Sequence, residues 1–262
     1  MYWKLRTRIL QLDKPVFMGI VNVTPDSFSD GGRFYTAEAA VEHVLELVRS
    51  GAGIIDLGGE STRPGSSAVS AGEELRRLLP VIEHLRRLKV PVPISVDTTK
   101  AAVAEEVLEC GAEIINDVSG CADSDMPEVL RRSGASYCLM HTQGIPETMQ
   151  DNPQYGDVTA EVFAFLQESR RRLIASGIAA ERIAVDPGLG FGKTAEHNWQ
   201  LVENIEKFLQ LEAPLLVGHS RKRFLSARFA DRDEGTRWLS KKLLTQGVHI
   251  LRLHEGGCLF SS

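Results

Sequence analysis

The chain has 262 residues, 43% hydrophobic and 25% charged, ordinary globular proportions for one large core or two small ones. A formal net charge of -5 with scattered Lys and Arg argues against nucleic acid as the main partner, and the lack of 18 consecutive apolar residues argues against a membrane span. Cys110, Cys121, Cys138 and Cys258 have neither CxxC spacing nor a histidine at metal-ligand spacing, so a reducing, cytoplasmic setting without zinc or disulfides is expected.

The N-terminus, MYWKLRTRIL, carries three basic residues but no apolar h-region. A first strand is expected over 16–21, emptying into residues 22–32, NVTPDSFSDGG, a loop too rich in Asp, Ser, Gly and Pro to pack or form a helix. Helical patterns follow over 37–50, 71–88, 100–109, 126–133, 157–176, 194–209 and from 221 onward. Five joints close a helix on glycine before an apolar strand: SGAGIID (50–56), CGAEIIND (110–117), SGASYCLM (133–140), SGIAAERIAVD (176–186) and QGVHILR (246–252). Strands over 93–96 and 214–217 bring the total to eight. Strand and helix alternate over about 250 residues, the rhythm of a (β/α)₈ barrel, with residues 1–262 as a single domain. The rival, an open doubly wound sheet, lacks GxGxxG after the first strand and any dividing linker.

Barrel chemistry sits where strands end. Those ends carry Asn22, Asp56, Asp97, Asn116 with Asp117, Met140 with His141, Asp186, Ser220, and Arg252 with His254. Alternation puts Ile250, Arg252 and His254 on one side and His249, Leu251 and Leu253 on the other, so Arg252 and His254 are expected to meet one anion. Asp56 and Asp117 read as helix N-caps. GLGFGK (188–193) looks like a phosphate loop but lacks P-loop spacing, and a flexible strand-to-helix turn is the plainer reading. Asp97, Asn116, Asp186 and Lys222 suit a flat heterocycle with N–H groups on one edge and a carbonyl on another. Arg63, Arg252 and His254, with Thr62 and Ser220, suit phosphate or pyrophosphate. No Ser–His–Asp or Cys–His arrangement points to covalent catalysis.

NVTPDSFSDGG, IIDLGGESTRPG (54–65), ISVDTTK (94–100), IINDVSG (114–120), MHTQGIPETMQ (140–150), DPGLGFGKT (186–194), SRK (220–222) and RLH (252–254) together resemble the dihydropteroate synthases, in the family's order. The resemblance implies condensation of 6-hydroxymethyl-7,8-dihydropterin pyrophosphate with p-aminobenzoate in folate synthesis, Mg²⁺, a homodimer and a sulfonamide target. It implies that Asp97, Asn116, Asp186 and Lys222 hold the pterin, with Met140 and Phe191 against its ring. Asn22 would meet Mg²⁺ and pyrophosphate; Thr62, Arg63, Arg252 and His254 would hold the anion. Phe28, Pro64, Ser220 and Arg223 would line the p-aminobenzoate pocket. Asp30, on a loop closing over the site, would face a transient cation, and Asp30, Lys222 and Asp97 would form the catalytic set. An impaired pterin-binding paralogue or partner subunit, and a methyltransferase of the related barrel class, are the alternatives.

The chain departs from the family's pattern in places. Arg223 stands where Ser or Thr is frequent, and Thr142 where Met is common. After His254 the family continues through an eighth helix, whereas EGGCLFSS follows here, and Arg237, Lys241 and Lys242 charge the helix before. The barrel is therefore expected to lack its final C-terminal helix, leaving Leu251 and Leu253 uncovered unless a second copy covers them.

Overall fold

Side-chain alternation along the strands decides which residues enter the barrel and which face the helices. The computed structural model describes residues 1–24, 37–61, 68–145 and 147–256. An antiparallel hairpin, β1 (Tyr2–Lys4) and β2 (Ile9–Gln11), precedes eight parallel strands: β3 (Val16–Asn22), β4 (Ile54–Gly58), β5 (Ile94–Asp97), β6 (Ile114–Asp117), β7 (Ser136–Met140), β8 (Ile183–Asp186), β9 (Leu216–Gly218) and β10 (Ile250–Leu253). They pair in the order β8-β7-β6-β5-β4-β3-β10-β9, and a bridge between Val185 and Leu215 closes β8 toward β9. The result is the expected (β/α)₈ barrel.

Inside, Met18, Ile54, Ile114, Cys138, Ala184, Leu216 and Ile250 form an apolar floor. Trp3, Leu5 and Leu12 of the N-terminal segment plug it from below, and the Trp3 indole donates to the Arg182 carbonyl at 2.9 Å. This hairpin went unread in the sequence because each strand is only three residues long. Two residues beyond the floor, along the same inner faces, the side chains turn polar: Asp56, Asn116, Asp186 and Arg252. Outward-facing Val21, Ile55, Leu57, Val96, Ile115, Leu139, Val185 and Val217 join the helices in the main core.

Seven α-helices surround the barrel among the described residues: α1 (Ala37–Arg49), α2 (Ala71–Arg87), α3 (Ala101–Cys110), α4 (Met126–Ser133), α5 (Val158–Ala175), α6 (Ala195–Glu203) and α7 (Arg232–Thr245). On α2, Leu78, Val81, Ile82 and Leu85 repeat at helical spacing on one buried face, and Ser70 caps the start by accepting from the Glu73 N–H. The five glycines expected at helix ends, Gly51, Gly111, Gly134, Gly177 and Gly247, all have positive φ. The helix expected over 194–209 is shorter: the Asn204 side chain bonds the Gln200 carbonyl at 2.8 Å, competing with the helical ladder, and a 3₁₀ stretch Ile205–Leu211 takes over. The pattern from 221 likewise resolves into a 3₁₀ turn, Arg223–Ala227, before Asp231 caps α7.

No helix follows β10 among the described residues, and Leu259 and Phe260 lie outside them. The bare flank expected there is not found. Leu251 and Leu253 point into the outer layer as expected, yet both are fully buried in the main core. Beyond β10 the chain comes back against Phe17, so closely that a Cβ on Gly256 would sit 2.4 Å from its ring. No described helix is long and apolar enough to cross a membrane.

The plug makes a direct test of the floor. Trp3→Ala removes a fully buried indole from the closed end of a dry barrel, so urea unfolding is expected to report a loss of about 3–5 kcal/mol. An unchanged midpoint would show that the hairpin does not close the floor.

Candidate active site

Arg252 is the hub of the polar layer. Its Nε donates to Asp56 Oδ2 at 2.6 Å and its Nη2 to Asp97 Oδ2 at 2.8 Å, while Asn116 Nδ2 donates to the same Asp56 oxygen at 3.0 Å. The other oxygens, Asp56 Oδ1 and Asp97 Oδ1, are buried without a hydrogen-bond partner. Asp186 accepts the Gly188 N–H at 2.7 Å. Lys222 reaches the Leu189 carbonyl, its amine 4.4 Å from the centre of the Phe191 ring.

Three carboxylates, Asp56, Asp97 and Asp186, thus share a desolvated layer with two cations, Arg252 and Lys222. Burial pushes the Asp97 carboxyl up to about 7; Arg252 opposes this, and Asp56 adds to it. Burial likewise raises Asp186 against the pull of Lys222, and it draws the Lys222 amine down to about 8. Burial would lower the Arg252 pKa too, but Asp56 and Asp97 hold it above its ordinary value. The layer is short of hydrogen-bond donors. A ligand edge rich in N–H groups would supply them.

Two sequence readings are corrected. Asp56 is no helix N-cap: the next helix, α2, starts at Ala71 behind Ser70, and Asp56 lies mid-strand inside the barrel, fully buried. Its signal was there, since Asp56 stands two residues after Ile54 and so shares its inward face. Asp117 is not a helix cap either, because α4 begins only at Met126. It closes a turn by accepting the Ser119 N–H at 2.7 Å and hydroxyl at 2.6 Å, with the Tyr137 hydroxyl at 2.6 Å.

One wall is apolar. Met140, Phe191, Val118 and Met149 form a separate buried cluster beside the polar layer. Phe191 belongs to GLGFGK, which proves to be a packed turn: a Cβ on Gly188 would lie 1.9 Å from the His141 carbonyl oxygen, and one on Gly192 2.2 Å from that of Gln143. Only glycine fits such backbone contact at positive φ. Three of the turn's N–H groups are spent internally. Gly188 donates to Asp186, Gly190 to Asn198 Oδ1 at 2.6 Å and Phe191 to the Gly188 carbonyl at 3.1 Å.

At the rim, the His254 ring nitrogen Nδ1 lies 2.9 Å from Ser220 Oγ, so the structure brings these two together. Arg223 is exposed at the start of its 3₁₀ turn and forms no ion pair with a described residue. Asn22 ends β3 opposite Gly58; a Cβ there would approach Asn22 Oδ1 at 3.7 Å and Asp97 Cβ at 3.8 Å, so glycine keeps the space between them open. Phe28, Asp30, Thr62, Arg63 and Pro64 lie outside the described residues. Lys100, unremarked in the sequence, bonds Glu74 Oε2 at 2.8 Å and also Glu60, at the root of the segment that leads to Thr62.

The retained proton is testable. Because folded Asp97 holds its proton up to about 7 and an unfolded Asp only to 3.8, the folded state binds more protons between those values and loses stability as pH rises through that window. Asp97→Asn removes that dependence. Urea unfolding at pH 5 and pH 8 should show the variant gaining on the wild type at the higher pH, by at most about 2.7 kcal/mol. An equal difference at both pH values would mean that Asp97 is ionised throughout.

Comparison with known proteins gives the family. The family described as pterin binding enzyme matches residues 18–254. The dihydropteroate synthase of Escherichia coli K12 is 44% identical over 250 residues, covering 94% of this chain and 88% of that protein. Among solved structures, the Yersinia pestis dihydropteroate synthase with a sulfonamide drug complex superposes with a TM-score of 0.91 at 40% identity, covering 98% of this chain and 94% of that one. The Xanthomonas albilineans dihydropteroate synthase in complex with 7,8-dihydropteroate gives 0.87 at 38%, covering 98% and 94%. The chain belongs to the pterin-binding enzymes and, among them, to the dihydropteroate synthase family.

Proposed function

We infer that the protein condenses 6-hydroxymethyl-7,8-dihydropterin pyrophosphate with p-aminobenzoate, forming 7,8-dihydropteroate and releasing pyrophosphate. The observation that carries this reading is the donor-poor layer, in which Asp56 Oδ1 and Asp97 Oδ1 are buried without partners beside the Met140–Phe191 wall. A pterin offers amino and ring N–H groups on one edge and a flat ring for that wall. Asp97, Asn116 and Asp186 receive and orient the edge, and Lys222 donates to the carbonyl side.

The pyrophosphate then projects toward the rim. Arg252 uses two of its five guanidinium N–H groups on carboxylates, and the remainder, with His254, Thr62 and Arg63, suit the anion. The C–O bond breaks with its electron pair leaving on pyrophosphate, the cation spreads over the pterin ring, and the aniline nitrogen adds to the carbon and loses a proton. The residues act chiefly by electrostatics and by holding the reactants in line. Asp30 is assigned to the cation, and Phe28, Pro64, Ser220 and Arg223 to the p-aminobenzoate end, where a sulfonamide would compete.

For magnesium, the described residues contain no cluster of three or more His, Cys, Asp or Glu able to cage an ion. The amide oxygen of Asn22 at the open end of β3 fits the other mode, one protein oxygen plus substrate phosphates and water. Bound there, the ion would offset charge on the departing pyrophosphate. The reading takes the working unit to be a cytoplasmic homodimer, which sedimentation would check. No described residue favours the impaired paralogue or the methyltransferase.

Pyrophosphate release is expected only with both substrates present; release that ignores p-aminobenzoate would overturn the synthase reading. Pterin affinity should rise from pH 6 to pH 8 as Asp97 gives up its proton near 7. In calorimetry Asp97→Asn should flatten that profile and cost about 1.5–3 kcal/mol, the worth of a charged hydrogen bond. Asp30→Asn should leave pterin affinity nearly intact while lowering kcat, since its charge is needed when the cation forms. Equal losses in affinity and rate would make Asp30 a ground-state ligand instead.

A further inference from the structure

The lysine of the glycine-rich turn takes no part in the reaction outlined above. Lys193 is 2% exposed, and its amine lies inside a cage of four acceptors: His141 Nδ1 at 2.9 Å, the Phe191 carbonyl at 2.9 Å, the Gly188 carbonyl at 3.0 Å and the His141 carbonyl at 3.4 Å. It forms no ion pair with a described residue. We propose that Lys193 is a positioning residue that sets the distance between Met140 and Phe191, and with it the fit of the pterin ring, and that it is not a ligand for the anionic end of the substrate. The proposal rests on the pterin reading above.

The acceptors explain the role. Two belong to His141, the residue after Met140, and one to Phe191 itself, so a single amine ties together the two backbones that carry the two halves of the wall. Contact between those backbones is already direct at Gly188 and Gly192, and among the described residues no other side chain is seen to bond both of them. The rest of the turn is fixed from outside: Gln150 donates to the Gly190 carbonyl at 2.7 Å and the Tyr155 hydroxyl to the Gly192 carbonyl at 2.8 Å. Lys193 thus holds two carbonyls of the turn, that of Gly188 and that of Phe191 itself.

The same geometry speaks against a phosphate role. An anion loop must aim several N–H groups at its ligand, whereas Gly188, Gly190 and Phe191 all donate within the protein. Burial, with Lys193 adding to it, draws His141 down to about 3, so its ring is neutral and Nδ1 receives the amine's hydrogen, which places the ring proton on Nε2. His141 also meets Phe165 edge-on at 4.9 Å, which fixes its plane. Burial holds Lys193 itself well below the usual lysine range, with Asp186 opposing and Lys222 reinforcing the effect.

The test compares Lys193→Met, His141→Leu and the double variant with the wild type. Calorimetry with 6-hydroxymethyl-7,8-dihydropterin and with inorganic pyrophosphate reads the two ends of the site separately, and steady-state rates read KM for each substrate against kcat. Lys193→Met is expected to weaken the pterin roughly tenfold or more, leaving pyrophosphate affinity and the KM for p-aminobenzoate within about twofold. His141→Leu should give the same pattern at roughly threefold, and the double variant should be no worse than Lys193→Met, as expected for partners in one contact. A parallel loss of pyrophosphate affinity would make Lys193 an anion ligand, and unchanged pterin affinity would remove any positioning role; either overturns the proposal. Should Lys193→Met fail to fold, His141→Leu decides by the same pattern. Wild-type protein that binds the pterin but forms no product would overturn the synthase reading alone, whereas wild-type protein that binds no pterin would overturn both.

Discussion

Everything at the barrel mouth depends on the guanidinium of Arg252 standing between Asp56 and Asp97. Burying one charge in a protein costs several kcal/mol unless it is paired, and here two carboxylates share one cation, each keeping an oxygen without a partner. Such a cluster survives only if the surroundings are rigid and water is kept from the lower side. The apolar floor and the Trp3 plug provide that seal, so the unmet demand for donors faces the mouth alone. Stability given up in this layer is thereby turned into affinity for whatever brings N–H groups to it.

Beside the charges stands an apolar wall that, in the proposed function, holds a flat ring in register with them. A ring stacked on Met140 and Phe191 meets the carboxylates correctly only if the wall does not drift, and loops at strand ends are the least constrained part of a barrel. The turn after β8 answers this with glycines that let two backbones touch and with side chains that occupy its polar groups one by one. Rigid positioning, more than flexibility, is what the glycines provide here.

The alternation of strand and helix, the glycine joints and the places of Asp97, Asn116, Asp186 and Arg252 at strand ends were all legible in the sequence, because each follows from a local period or from backbone chirality. What escaped depends on contacts far apart in the chain. Trp3 bonds Arg182, and Arg252 bonds Asp56, across separations that no local pattern reveals. Asp56 reads as a cap because a carboxylate after apolar residues is most often one, and that reading outweighs the two-residue spacing from Ile54 that puts it on the inward face. Leu251 and Leu253 were expected to be bare because coverage was judged by counting helices, while the structure buries them in the outer layer, with the chain after β10 packed back against Phe17.

The hub also links the two ends of the site. With no ligand, Asp56 and Asp97 together more than offset the charge of Arg252, so the field it presents to an anion at the rim is weak. In the proposed binding mode a pterin giving its own N–H groups to Asp97 would take over part of that carboxylate's demand, and the guanidinium would then be less screened toward the pyrophosphate attached to the same molecule. Binding of the ring would in this way strengthen the grip on the leaving group, and strengthen it further as negative charge gathers there during departure. One arginine shared by two carboxylates is therefore better suited to the chemistry than an unpaired one, which would hold free pyrophosphate as readily as the substrate and release the product slowly.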